Sequence, residues 1–200
     1  MLKVDLDQAC ARLREGQILI YPTETLYGLG VDIENAEAIE KLFSLKGRDP
    51  GKPISVLLPS LKELPQVVGA YPVRVEAIFD KFFPGPLTVV LPAHPNLDPR
   101  IHGGSNWVGV RVTSHPLAGQ LMAKYGRPIT TTSANPSGGS SSQGVAQLQD
   151  YFGAQELYLL SGGDLPPSRG STVVKIDGEN LQLLREGDIP FSEVQEVFTK

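Results

Sequence analysis

The sequence is poor in cysteine, and its apolar runs are short. Cys10 is the single cysteine of the 200 residues, which excludes an intramolecular disulfide framework and a zinc site built from several cysteines. The longest apolar runs, Ile54–Leu58 and Leu87–Leu91, are too short to span a bilayer. From these absences we expect a cytoplasmic protein without a membrane segment, in which Cys10 only fills the core.

Positive charge is not in excess either. The chain has 18 Lys and Arg against 22 Asp and Glu, which gives a formal net charge of -4. Charge on the surface therefore cannot hold a long stretch of nucleic acid by its phosphates alone. Any contact with RNA must be local.

Several common catalytic patterns are missing. The sequence has no Gly-x-Ser-x-Gly nucleophile pattern and no Gly-x-x-x-x-Gly-Lys-Ser/Thr phosphate loop. Gly28-Leu29-Gly30 does not continue into a dinucleotide fingerprint, because the third position is Ile33. The histidines are scattered and lack the spacing of a zinc pair: His94, His102 and His115. Phosphoryl and nucleotidyl transfer remain open, since these reactions need mainly positioned charge and alignment.

The pattern of apolar residues predicts an α/β protein, with one domain over residues 1–200. A first helix is expected between a cap at Asp5 and a stop at Gly16. Further helices are predicted near Ala36–Lys46, Val73–Phe83, Pro116–Lys124 and Val145–Phe152. Strands are predicted at Gln17–Tyr21, Ile54–Leu58, Leu87–Leu91, Val108–Val112, Ile129–Ser133 and Leu157–Leu160. A hairpin of Thr172–Ile176 and Leu181–Leu184 makes the predicted sheet mixed.

A Gly/Ser-rich segment, Ile129–Gly144, runs from a β-branched strand towards a predicted helix at Val145. Its glycines let backbone N–H groups converge, and the helix N-terminus adds partial positive charge. The hydroxyls of Ser140, Ser141 and Ser142 would add further donors. These features predict an anion site, although a flexible surface connector has the same composition.

Two more segments carry candidate chemistry. Lys46–Pro53 places three cations within seven residues, between a predicted helix and a predicted strand, although such clusters are often solvated surface. Its prolines and glycines would restrict the backbone and orient the cations. Tyr21–Gly30 is a polar, glycine-containing turn after a buried strand, where the threonines could simply cap the turn. Within it, Glu24 could be a base, a magnesium ligand or neither.

Seven motifs in order give the chain a resemblance to a known family: YPTETLYGLG, LKGRDPGKPISVLL, PGPLTVVL, VGVRV, TTTSANPSG, STVVKI and LLREGDI. Together they resemble the YrdC/TsaC family of threonylcarbamoyl-AMP synthases, from about Gln8 to Ile189. The resemblance implies a YrdC-like fold, an open twisted mixed sheet flanked by helices with a concave nucleotide-binding face. It also implies a nucleotidyltransferase, which joins L-threonine, bicarbonate and ATP into threonylcarbamoyl-AMP with release of pyrophosphate.

The resemblance assigns a role to specific residues of this chain. The signature residues, expected to be catalytic, are Lys46, Arg48, Ser133 and Asn135. The residues expected at ATP are Arg48, Lys52, Ser133, Ser141, Arg185 and the backbone near Trp107. The residues expected at threonine are Thr25, Arg111, Thr131 and Ser171. Arg111 suits a carboxylate because its fork can donate two parallel hydrogen bonds, although without the family it could merely pair an acidic neighbour.

The same resemblance extends to cofactors and partners. Mg²⁺ normally accompanies the nucleotide, and no metal ligand is predicted from the protein itself. The product would pass to a downstream tRNA threonylcarbamoyl-transferase complex, with at most a weak contact to tRNA. Three positions depart from the family: Asp49, which resembles the YciO branch, Lys52, and Leu57, which would at best give threonine an apolar wall.

Two other functions fit the same motifs. The first is a module of the YrdC/YciO type that binds tRNA or double-stranded RNA without synthase activity, which the acidic balance disfavours. The second is the carbamoyl-adenylate-forming domain of hydrogenase-maturation proteins, in which zinc-finger and acylphosphatase parts accompany this domain. Because the sequence has one cysteine and 200 residues, we expect neither of those parts in it.

Overall fold

The computed structural model describes residues 1–139 and 142–200. Within them ten strands form one sheet. The strands are β1 (Leu2–Lys3), β2 (Leu19–Pro22), β3 (Tyr27–Gly30), β4 (Ser55–Leu57), β5 (Leu87–Pro92), β6 (Trp107–Arg111), β7 (Ile129–Ser133), β8 (Tyr158–Leu159), β9 (Thr172–Asp177) and β10 (Asn180–Arg185). The helices are α1 (Leu6–Arg14), α2 (Ala36–Lys46), α3 (Val75–Phe82), α4 (Pro99–His102), α5 (Pro116–Tyr125), α6 (Val145–Phe152) and α7 (Phe191–Phe198), with a 3₁₀ helix at Leu61–Gln66.

The strand order is β1-β8-β2-β3-β7-β4-β6-β5-β9-β10. Parallel pairs such as β4 with β6 and β5 with β9 alternate with antiparallel pairs such as β3 with β7 and β5 with β6. The predicted α/β class with a mixed sheet is therefore confirmed. The hairpin of β9 and β10 also lies where the sequence predicts it.

Strand β2 separates two apolar clusters, because its side chains alternate between the faces of the sheet. Ile20 belongs to the large cluster on one face, whereas Leu19 and Tyr21 belong to a smaller cluster with α1 and α5 on the other. Cys10 lies in the smaller cluster and is almost fully buried, as its place on the apolar stripe of α1 predicts. Burial raises the pKa of its thiol.

The polar-turn prediction for Tyr21–Gly30 is wrong at its second half. Tyr27–Gly30 is a fully buried strand that pairs with both β2 and β7. Glycine disfavours strands, which hides β3 from a propensity argument. The packing requires glycine at position 30, since a Cβ there would lie 2.8 Å from the ring of Tyr21.

Short elements escape the sequence analysis for related reasons. The strand β1, the helix α4 and the 3₁₀ helix are too short to show a period. Helix α7 is longer and was missed although Phe191, Val194 and Phe198 follow helical spacing. It packs on α3 and on β10. The part of the chain that the structure describes contains no helix of the length and apolarity that crossing a bilayer requires.

Candidate active site

A cavity of about 220 Å³ opens above the middle of the sheet. Strands β3 to β7, β9 and β10 all contribute residues to its lining. Where a strand alternates, one residue points to the cavity and its neighbours enter the core. On β6, for example, Val108 and Val110 are core residues, whereas Arg111 lines the cavity. The predicted site residues that line it are Thr25, Arg48, Arg111, Thr131, Ser133, Ser171 and Arg185.

The basic turn after α2 and the end of β7 meet at this cavity. Arg48 comes from the turn and Ser133 from the strand, and both line the same space. Lys46 joins the two elements from below, because its Nζ donates to the carbonyl oxygens of Ser133 at 2.6 Å and Asn135 at 2.7 Å. The structure thus brings the two signature segments together at one cavity.

Lys46 itself does not line the cavity. Its side chain is buried, and burial, with the nearby charge of Arg48, lowers its pKa to about 8. The chain can turn here because Gly47 ends α2 in the left-handed region, at φ 56°. In this position the ammonium fixes the geometry of the Ser133 strand end, and its predicted catalytic role stays a prediction.

Asn135 also lies beneath the cavity lining. Its Oδ1 accepts a hydrogen bond from the Ser133 hydroxyl, and its Nδ2 donates to the carbonyls of Pro136 at 2.8 Å and Gly139 at 2.7 Å. The amide therefore holds the start of the Gly/Ser segment in a fixed turn. It also sets the rotamer of Ser133.

Arg48 is oriented by the turn in which it sits. Its Nη2 donates to the Pro53 carbonyl at 2.7 Å and its Nε to the Lys52 carbonyl at 3.2 Å. Asp49 closes the same turn, since its carboxylate accepts from the Gly51 N–H at 2.9 Å. Partial burial lowers the pKa of Arg48. Lys52 contributes its carbonyl, while its exposed side chain lies outside the cavity lining.

Arg185 enters the cavity from the end of β10. Its guanidinium donates to the Ser171 carbonyl at 2.8 Å and to the Ser171 hydroxyl at 3.0 Å. That hydroxyl also shares a hydrogen bond with Thr88 at 2.9 Å, which the sequence analysis did not single out. Burial and the charge of Arg111 lower the pKa of Arg185.

Arg111 is held differently. Its Nη2 donates to the Glu24 carboxylate at 2.5 Å, and the Thr113 hydroxyl donates to the other Glu24 oxygen at 2.5 Å. The acidic partner that the sequence analysis left open for Arg111 therefore exists. Arg111 still lines the cavity, so the ion pair and a ligand contact are compatible.

The predicted anion site in the Gly/Ser segment needs correction where the structure describes it. Helix α6 begins at Val145, and the N–H of this residue is within 3.2 Å of the Asp164 carboxylate, so the chain provides its own anion there. The Ser142 hydroxyl is buried and donates to the Ala134 carbonyl at 2.9 Å. Ser140 and Ser141 lie outside the described residues, and the role predicted for Ser141 at ATP stays a prediction.

Two further predicted positions lie away from the cavity lining. Trp107 is at the start of β6, where the Lys175 ammonium lies 3.6 Å from the centre of its ring. Leu57 is fully buried in the smaller apolar cluster beside Tyr21 and Ile129. Leu57 therefore does not line the cavity, and its expected role as an apolar wall for threonine stays a prediction.

The cavity suits an anion better than a metal ion. Three arginines converge on it, and the described lining residues include hydroxyls but no carboxylate. Mg²⁺ prefers carboxylate and phosphate oxygens, so this lining does not form a magnesium site by itself. Among residues 1–139 and 142–200, no group of three or more His, Cys, Asp or Glu side chains could hold a metal ion.

Comparison with known proteins matches residues 11–187 to the Sua5_yciO_yrdC family, which is described as "Telomere recombination". The threonylcarbamoyl-AMP synthase of Bacillus subtilis is 34% identical over 95% of this chain, and this chain spans only 55% of that protein. The threonylcarbamoyl-AMP synthase of Vibrio vulnificus is 36% identical over 92% of this chain and 98% of its own length.

A similar fold is found in a solved structure. The crystal structure of P. abyssi Sua5 complexed with L-threonine has a TM-score of 0.90 and 31% sequence identity. The similarity covers 98% of this chain and 59% of that one.

Proposed function

Because this chain belongs to the Sua5/YciO/YrdC family, we propose that it makes threonylcarbamoyl-AMP from L-threonine, bicarbonate and ATP. One observation carries the proposal. The basic turn and the Ser-Ala-Asn strand end open into a single cavity that also contains Arg111 and Arg185. The amine of threonine and bicarbonate first combine into a carbamate with loss of water, and a carbamate oxygen then attacks the α-phosphorus of ATP and displaces pyrophosphate.

The residues around the cavity divide into two groups for this reaction. Arg48, Ser133 and Arg185 would donate to the phosphates and to the leaving pyrophosphate, where charge develops in the transition state. Arg111 would take the carboxylate of threonine. The hydroxyls that would surround the amino acid belong to Thr25, Thr131 and Ser171. Holding both substrates in line contributes to the rate because the displacement needs little beyond alignment and charge stabilisation.

The size of the cavity indicates which parts of the substrates it could enclose. Pockets that enclose ligands of drug size have volumes of roughly 300–1,000 Å³. At about 220 Å³ this cavity can enclose the amino acid and the reacting phosphate, while the rest of the nucleotide extends outside. Lys52, Trp107 and Ser141 are proposed to contact that outer part. Mg²⁺ would be held by the phosphates of ATP.

The proposed product is an activated intermediate for the threonylcarbamoyladenosine modification of tRNA, consumed by a separate transferase complex. We place the reaction in the cytoplasm, and a weak tRNA contact remains part of the proposal. The alternative of an RNA-binding module has less support, because the chain carries a net charge of -4 and the cavity is too small for a duplex.

The test is pyrophosphate release by the purified protein with ATP and Mg²⁺. We expect release only when threonine and bicarbonate are both present, and a threonylcarbamoyl-AMP product by mass spectrometry. Omitting each substrate in turn is the control. Equal release without threonine would show that the amino-acid assignment is wrong.

A further inference from the structure

Glu24 is a partly buried carboxylate that the proposed reaction does not yet use. It lies in the turn between β2 and β3, and its side chain is only 14% exposed. One oxygen accepts from Arg111 Nη2 and the other from Thr113 Oγ1, both at 2.5 Å. With both oxygens engaged, Glu24 is poorly placed to remove a proton or to bind a metal. Its chemistry is directed at Arg111.

The turn that carries Glu24 is itself fixed. The Thr23 hydroxyl donates to the Leu26 carbonyl at 2.7 Å and shares a hydrogen bond with the Thr25 hydroxyl at 3.0 Å. On both sides of the turn, β2 and β3 pair from Pro22 with Tyr27 onwards. The same rigid turn therefore presents Thr25 to the cavity and Glu24 to the guanidinium of Arg111.

Arg111 retains donors after it has paired with Glu24. A guanidinium carries five N–H groups, and the Nε of Arg111 is buried without an acceptor among residues 1–139 and 142–200. Because this Nε is closed to solvent, a carboxylate in the cavity would meet the Nη donors of Arg111, in a guanidinium whose plane Glu24 already fixes.

We propose that Glu24 is a positioning residue for the amino-acid substrate, which holds Arg111 ready for a single carboxylate. This inference rests on the proposed function. The Glu24 charge offsets that of Arg111, so the pair attracts a phosphate less than a bare arginine would. Arg48 and Arg185 donate to neutral groups, so neither of them is paired directly with a carboxylate as Arg111 is. Glu24 thus helps to keep the amino-acid and phosphate positions distinct.

The experiment compares E24A and E24Q with the unaltered protein. Threonine KM, ATP KM and kcat are measured by pyrophosphate release, and threonine binding without ATP is measured by calorimetry. In E24A we expect threonine KM and Kd to rise about tenfold, which corresponds to ~1.4 kcal/mol. We expect ATP KM and kcat to change less than about threefold. Glutamine keeps the shape of the side chain and one acceptor oxygen. The threonine KM and Kd of E24Q should therefore lie between those of E24A and those of the unaltered protein.

E40Q is the matched control. Glu40 pairs with Arg100 at 3.0 Å on the surface, so this variant removes the same charge from a Glu–Arg pair outside the cavity. Its kinetic constants should equal those of the unaltered protein. If E24A does not fold, the nearly isosteric E24Q decides.

Two outcomes would overturn the inference. One is an unchanged threonine KM and Kd in both Glu24 variants. The other is an equal rise of the threonine and ATP KM with a large loss of kcat, which would mean that Glu24 supports the whole site. Failure of the proposed function is distinct, because the unaltered protein would then release no pyrophosphate in response to threonine. The calorimetric comparison would still report on Glu24.

Discussion

The arginines of the cavity are held in two different ways. Arg48 donates to main-chain carbonyls of its own turn, and Arg185 donates to the carbonyl and hydroxyl of Ser171, so the partners of both are neutral. Arg111 instead pairs with the Glu24 carboxylate. Carbonyl partners fix an arginine and leave its net charge in place, whereas a carboxylate partner offsets it.

The difference matches the proposed substrates. A triphosphate carries several negative charges, and undiminished positive charge is the appropriate complement. An amino-acid carboxylate carries one, and a guanidinium of fixed orientation can select it by geometry. The way each arginine is held would therefore contribute as much to selectivity as the arginines themselves.

The strongest test of the comparison is R48A, which removes a cation held by carbonyls. We expect kcat/KM to fall by about 100-fold, because a donor aimed at developing charge is worth about that much. Steady-state pyrophosphate release measures the effect. The control is R74A, since Arg74 pairs with Glu179 at 2.8 Å at a partly exposed position outside the cavity. Normal turnover in R48A would mean that the basic turn is not the phosphate side.

A smaller effect is expected from K46M, which removes the ammonium that joins the end of α2 to the end of β7. It leaves the partly buried Ser133 carbonyl and the buried Asn135 carbonyl without their donor, at a cost of roughly 1–3 kcal/mol. Urea unfolding measures the loss, with the exposed Lys62 substituted in K62M as the control. Equal stability of K46M and the unaltered protein would contradict the structural role of Lys46.

The same substitution also tests how the free energy of unfolding depends on pH. Burial lowers the pKa of Lys46 from its ordinary 10.5 to about 8 in the folded chain. Between these values the unfolded chain binds more protons than the folded chain, so the Lys46 contribution makes the free energy of unfolding rise with pH. Below about pH 8 both states are protonated and the contribution is constant. Relative to the unaltered protein, K46M should lack this rise across the window.

The smallest expected effect concerns salt. Screening weakens attraction between net charges and affects a neutralised pair less. Raising salt from about 0.05 M to about 0.5 M should therefore increase the ATP KM roughly threefold. The relative increase of the threonine KM should be less than half as large. Titrations of each substrate at both salt concentrations measure this. Equal shifts would mean that the two sides do not differ in effective charge.

Sequence reasoning was most successful where the signal is local. The predicted bounds of α2, α6 and β7 agree with the structure. It was least successful for β3, where two glycines conceal a strand that pairs with β2 and β7. The helix N-terminus at Val145 was also misjudged, because its partner Asp164 is 19 positions away.

The sequence by itself determined the class of fold and the kinds of side chain that the site offers, because strand alternation and turn chemistry depend on near neighbours. Only the tertiary structure decided what each of those side chains does. Glu24 and Arg111 are 87 positions apart, as are Lys46 and Ser133, and no local period encodes such pairs. Sheet order brings them into contact, and contact decides which cation faces the cavity with its charge intact.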